Sequence, residues 1–433
     1  MTAPHLAGNF APVPDELTEM DLPVTGAIPP ELSGWYLRNG PNPAAAASAH
    51  WFLGDGMVHG VRVEGGRATS YRNRWVRTST FTDGIRNRRS DGTRDLTAGL
   101  ANTHVIRHAG RTLALVESSY PYELTRELDT VGPYDFDGEL RTAMTAHPKT
   151  CPVTGELHFF GMDAREPYLV YHRADAAGNL VLSREIEVPG PTMHHDFNLT
   201  AEHVVFMDLP VVFDRQTEGM PFHWSETYPA RLGVLRREDP QGAVRWFDID
   251  PCYVFHVLNG HDEPGRIVLY VSRYDRLWAS SSHDVDAATL WRWTIDLVSG
   301  TVTETQLDDR ATEFPRLDDR LVGVAARFGH ATDVGNPIGR TTGGALVRYD
   351  LSAGATVAHE FGPGRTPGEA AFAAADARPG GAGYLMTYVY DAATDRSDLV
   401  IVDADDLTVP AVATIHLPRR VPFGFHGSWL PDA

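Results

Sequence analysis

The sequence predicts an all-β fold, and three observations carry that expectation. Helical periodicity is scarce, while short alternating or β-branched runs recur from end to end. Turn signals such as Gly54-Asp55-Gly56, Ala177-Gly178-Asn179 and Pro379-Gly380-Gly381 punctuate those runs. The chain also carries 40 Gly and 30 Pro, a load that breaks helices and suits many turns.

Taken in order, the strand-like runs are 104–116, 167–172, 203–208, 266–273, 290–297, 345–350, 384–390 and 398–402. Residues 169–172 and 180–183 flank a polar turn and read as a hairpin, and so do 291–296 and 301–305. No shift of composition marks a linker, so 1–433 reads as one domain. A propeller and a double-sheet sandwich both accommodate this many short strands. No clean repeat chooses between them.

Composition narrows the function. Of the 433 residues, 42% are hydrophobic, enough for a real core. The 38 basic and 57 acidic side chains leave a net charge of −19. Such a chain is a poor partner for nucleic-acid phosphates or for anionic lipid held by charge. Cys151 and Cys252 make no disulfide framework and fit a reducing compartment. Metal chemistry there falls to His and carboxylates. Residues 1–21 are polar and Pro-rich, with neither the basic nor the apolar region of a signal peptide. No run approaches a membrane span. The expected location is the cytoplasm, and no protein partner is implied.

With 19 histidines, any single one is a weak signal. His147, His195, His256 and His426 stand apart because apolar or aromatic residues flank each. A bare imidazole buried there is costly unless its nitrogens are satisfied. A core histidine bonded to a carbonyl is one reading, and a metal ligand is the other. The gaps between the four are long, unlike local zinc motifs such as HExxH, which is absent. They suit ligands supplied singly by separate converging strands.

Several collinear motifs then resemble the carotenoid cleavage oxygenases, the family that also holds stilbene-cleaving dioxygenases and the retinal-pigment-epithelium retinoid isomerase. They include Gly34-Trp-Tyr-Leu-Arg-Asn-Gly-Pro-Asn-Pro43, Trp51-Phe-Leu-Gly-Asp-Gly-Met-Val-His-Gly60 and Ala101-Asn-Thr-His-Val105. Ala146-His-Pro-Lys149, His195-Asp-Phe197, Glu313-Phe-Pro-Arg316 and Phe423-Gly-Phe-His-Gly427 complete the set. The resemblance implies a seven-bladed β-propeller with a helical and loop cap over one face. It implies one Fe(II) per chain, held by His147, His195, His256 and His426, with O2 as co-substrate. The family's ligand directly precedes Asp-Phe, which selects His195 over His194. The resemblance also places Glu117, Glu313 and Glu369 behind His195, His256 and His426, leaving His147 without a carboxylate. A carboxylate behind an imidazole fixes its tautomer and raises its basicity. Taken alone, each Glu would read as a solvated surface charge.

The implied reaction splits a conjugated carbon–carbon double bond into two carbonyl products. Iron prefers six-coordination, so four neutral nitrogens leave two positions open. By resemblance Thr103 sits beside the iron and limits access, against the plainer reading of a strand threonine. Stilbene-cleaving relatives carry a Lys just before the first Glu and a Tyr for a phenolic hydroxyl. Here Val116 precedes Glu117 and cannot bind a phenol, and residues 84–88 hold no Tyr. That favours an apolar conjugated substrate, a carotenoid or apocarotenoid. Val116, Tyr120, Tyr122, Phe222 and Trp278 are the expected tunnel lining. Met220, Phe222 and Trp224, within 213–228, are candidates for a weak membrane-surface contact. Four rival readings remain: a stilbene- or phenylpropenoid-cleaving dioxygenase of the same family, an isomerohydrolase on the same scaffold, a propeller binding protein, and a zinc hydrolase. Four histidines would close a tetrahedral zinc and leave it no open position.

Overall fold

The structure, a computed structural model, describes residues 3–217, 219–282, 285–335 and 344–432. The ends of the expected 1–433 domain and Glu218 of the 213–228 segment lie outside the described residues. Seven antiparallel sheets of four or more strands form a seven-bladed propeller, with one further two-stranded hairpin. Nearly every expected run is a strand. The run 104–116 divides in two, because Ala109 and Gly110 adopt positive φ and turn the chain between His104–His108 and Arg111–Leu115.

Each blade runs outward from a first, innermost strand. Lys149–Thr150, Phe197–Leu199, Tyr253–Glu263 and Thr312–Arg316 are four of these. The C-terminal strand Gly427–Pro431 pairs with Gly34–Pro41, so the two ends of the chain share one blade and close the ring. Closure leaves no long free sheet edge around the ring. The core is divided into clusters between neighbouring blades. In the largest, Trp293, Leu269 and Val271 from one blade pack on Val205 and Leu232 from the preceding one.

The helical part of the cap is small among the described residues. The only α-helix there is Ser79–Asp83, opened by the Thr78 side chain and closed by Gly84 at φ 67°. Loops cover this face instead, with the hairpin of Val211–Phe213 and Phe222–Trp224. Residues 76–103 lack the apolar periodicity that would make an amphipathic helix pack there. No helix is long and apolar enough to cross a membrane among the described residues.

Candidate metal centre and substrate cavity

The innermost strands bring the four histidines together. His147, His195 and His426 each stand just before such a strand, and His256 lies within Tyr253–Glu263. Their candidate ligand nitrogens all lie within 4.8 Å of one another. His195 Nε2 and His256 Nε2 are 3.3 Å apart. His194, the neighbour of His195, turns away, its ring 3.9 Å from the Asp208 carboxylate.

Each expected glutamate stands behind its histidine. Glu117 Oε1 is 2.5 Å from His195 Nδ1, and Glu313 Oε2 is 2.5 Å from His256 Nδ1. Glu369 Oε1 is 2.9 Å from His426 Nδ1. With Nδ1–H facing a carboxylate, each ring presents the bare Nε2. The glutamates are anchored in turn. Glu313 accepts from the Tyr274 hydroxyl at 2.8 Å and from the Phe314 N–H at 2.6 Å. Glu369 accepts from the Gly427 N–H at 2.6 Å.

His147 has no carboxylate, and its buried Nε2 has no hydrogen-bond partner among the described residues. Its backbone N–H donates to Thr145 Oγ1, which donates to the His195 carbonyl. Burial, reinforced by the neighbouring imidazoles, holds His147 and His426 well below the ordinary histidine pKa. Burial also pulls His256 down, but the Glu313 carboxylate outweighs it and the net shift is upward. An orphaned imidazole nitrogen facing three others with free lone pairs is the donor set of a metal such as iron. The residues therefore fit the implied ion.

Three of the four histidines, His195, His256 and His426, open onto a cavity of about 1270 Å³. Its walls are largely apolar, with Trp51, Phe52, Phe255, Phe314 and Phe425 around the histidines. Among the described residues, the only acidic ones on its wall are Glu117 and Glu313, both committed to histidines. Thr103 lies on the same wall. Its N–H donates to the Leu115 carbonyl, and its own carbonyl accepts from the His426 N–H at 3.0 Å. His147, with His256 and His426, also reaches a second, more polar cavity of about 510 Å³.

Of the residues expected in the lining, Val116 and Phe222 lie on this wall. Tyr120, Tyr122 and Trp278 do not. Tyr120 sends its hydroxyl to the Leu140 carbonyl, and Tyr122 bonds the Thr97 carbonyl. A buried phenol needs a partner, and a backbone carbonyl satisfies each away from the cavity. Trp278 is packed behind the wall against Phe52 and Phe255. In the 213–228 segment, Trp224 is buried, and Met220 and Phe222 pack on the core and face the cavity.

Sequence reasoning missed three supports. Asp196 accepts from the Phe197 and Val257 N–H groups and pairs with Lys149 at 2.8 Å. That one carboxylate stitches together the blades that carry His147, His195 and His256. His104 bonds the Ala146 carbonyl beside His147, at 2.9 Å. Tyr274 holds Glu313. Lys149, Asp196 and His104 all lay in the quoted motifs, whereas nothing in the sequence marked Tyr274.

The family model described as Retinal pigment epithelial membrane protein matches residues 10–431. The chain belongs to the carotenoid cleavage oxygenase family. A carotenoid cleavage oxygenase of Mycobacterium tuberculosis is 40% identical, over 99% of this chain and 97% of the relative. A carotenoid 9,10(9',10')-cleavage dioxygenase 1 of Arabidopsis thaliana is 31% identical, over 99% and 90%. Among solved structures, Pseudomonas brassicacearum lignostilbene dioxygenase superposes with a TM-score of 0.89 at 30% identity, covering 99% of both chains. Cobalt-substituted Synechocystis ACO gives 0.87 at 27% identity, covering 97% of each. Membership in the carotenoid cleavage oxygenases makes the chain an oxidoreductase of the double-bond-cleaving dioxygenase class.

Proposed function

We propose that this enzyme cleaves a double bond of a carotenoid or apocarotenoid, with iron held by His147, His195, His256 and His426. One observation carries the reading. The imidazole cluster faces a large aromatic cavity in which, among the described residues, no carboxylate is free to work as acid or base. Iron bound there supplies the redox chemistry that lets O2 react with an alkene. Everything else falls to the chain. The aromatic wall removes the polyene from water and fixes which bond lies beside the histidines. The cavity exceeds the roughly 300–1,000 Å³ common for small-molecule sites, as a long substrate requires. Thr103 narrows the approach on the cavity side. Glu117, Glu313 and Glu369 keep three rings in register while the substrate enters.

Val116 supports a carotenoid over a hydroxystilbene. It lies on the cavity wall next to Glu117, where an ammonium would be needed to bind a phenol. The test is a panel. Iron-loaded protein is offered carotenoids, apocarotenals, stilbenes and phenylpropenoids under isotopically labelled O2, with products identified by mass. Labelled aldehydes from the polyenes are expected. Efficient cleavage of a 4-hydroxystilbene alone would overturn the substrate reading, and unlabelled products would overturn the oxygenase reading.

A further inference from the structure

The solvent end of the cavity reverses the sign of the molecule. Arg86, Arg88, Arg94 and Arg215 all contribute to its wall, in a chain of net charge −19. Arg86 and Arg215 are exposed, whereas at the other end His195 and His426 are buried and His256 is half-buried. The cavity therefore has an inner, imidazole end and an outer, guanidinium end.

One of the four arginines is accounted for. Arg94 lies 3.3 Å from the Asp163 carboxylate and donates to the Met162 carbonyl. Among the described residues, no carboxylate pairs with Arg86, Arg88 or Arg215. Arg88 donates to the Gly92 carbonyl at 3.1 Å and lies over the Phe213 ring at 5.5 Å. Arg165 adds a further charge. A Cβ at Gly92 would meet the Nη2 atoms of both Arg165 and Arg215, so guanidiniums from two loops converge on one point. Burial lowers the pKa of Arg88, and Arg215 and Arg165 add to that fall against the pull of Asp163. Like charges gathered on a half-buried wall repel, and an anion between them removes the repulsion.

We propose that this end is a carboxylate-binding subsite, and that the substrate is an apolar polyene with an anionic terminus. The polyene lies along the aromatic wall toward the histidines, and its carboxylate rests on Arg88 and Arg215. Guanidinium matches a carboxylate with two parallel hydrogen bonds, whereas an aldehyde or alcohol would leave the charge unbalanced. The subsite rests on the polyene reading above and sharpens its substrate class.

The test uses one polyene with three ends: an apocarotenoic acid, its methyl ester and the corresponding alcohol. Binding to iron-loaded protein is read without O2 by tryptophan-fluorescence quenching, and turnover is read by product mass. The acid is expected to bind about tenfold more tightly than the ester, an advantage that shrinks with salt. In Arg88→Gln/Arg215→Gln the acid-to-ester ratio should fall about tenfold, and Arg88→Lys/Arg215→Lys should restore much of it. Equal binding of acid and ester, or a ratio that the Gln pair leaves unchanged, overturns the subsite. Loss of binding to phosphatidylserine vesicles in the Gln pair, with the ratio intact, would reassign the arginines to a membrane surface and overturn it too. If none of the three probes binds, the polyene reading itself fails, and the subsite falls with it.

Discussion

Glu313→Gln separates an electrostatic role for the carboxylate from a merely space-filling one. Glu313 meets three donors: the His256 Nδ1–H, the Tyr274 hydroxyl and the Phe314 N–H. Gln has the same shape. Its carbonyl oxygen can take the Oε2 place and still accept from His256 and Phe314. Its NH2 then faces the Tyr274 hydroxyl, which must rotate to accept. The Tyr274 O–H and one amide N–H lose their acceptors, a cost the fold should survive. What is lost is the anion. A hydrogen bond to a charged group contributes about 1.5–3 kcal/mol against about 0.5–1.5 for a neutral one. The difference, roughly 1–2 kcal/mol or about 5–30-fold, overlaps the roughly 10–100-fold loss typical when a ligand's carboxylate partner is removed. Iron affinity by chelator competition, and kcat/KM, should each fall by about 10–100-fold. The pH dependence adds a readout that shape alone would not move. Metal binding needs neutral imidazole, and Glu313 holds the His256 pKa above its ordinary value. Without the anion, that pKa falls, so the pH at which iron affinity begins to drop should move lower even as affinity weakens. Wild-type iron affinity with an unshifted acid limb in a folded variant would refute the reasoning.

Other outcomes follow from the same geometry. His147→Ala should lose most of its iron by elemental analysis, whereas His194→Ala should keep it, because only the first ring belongs to the cluster. Val116→Lys would bring an ammonium beside Glu117 and compete with His195 for it; polyene turnover should drop about tenfold or more, while 4-hydroxystilbene cleavage rises from baseline. His104→Phe removes the bond to the Ala146 carbonyl and should lower iron occupancy without changing substrate preference. Acid should destabilise the protein. His104 and His330 are held down to a pKa of about 3, and His172 to about 4, mainly by burial. The unfolded chain binds their protons first, so stability is full above about pH 6.5 and is lost as pH falls toward 3, at up to ~1.4 kcal/mol per pH unit for each group. Denaturant titrations across that window should show the slope, and His104→Phe should flatten it.

The sequence by itself determined the strands and, through its family motifs, picked out the four histidines that cluster and the three glutamates behind them. Alternation reports burial on a pleated strand directly, and the motifs around His195 and His426 are contiguous because each ligand sits at the mouth of one strand. Val116 was legible as an apolar wall residue for the same reason, being adjacent to Glu117. Only the tertiary structure decided which aromatics face the cavity. Tyr120, Tyr122 and Trp278 look alike in sequence to Phe222, but a hydroxyl bond or a packed neighbour turns each away. It also decided the supports that cross between blades, Asp196 to Val257 and Tyr274 to Glu313, and the gathering of arginines at the outer end of the cavity. Those contacts join residues far apart in the chain, and their partners are fixed by how the blades close into a ring, which no local pattern encodes.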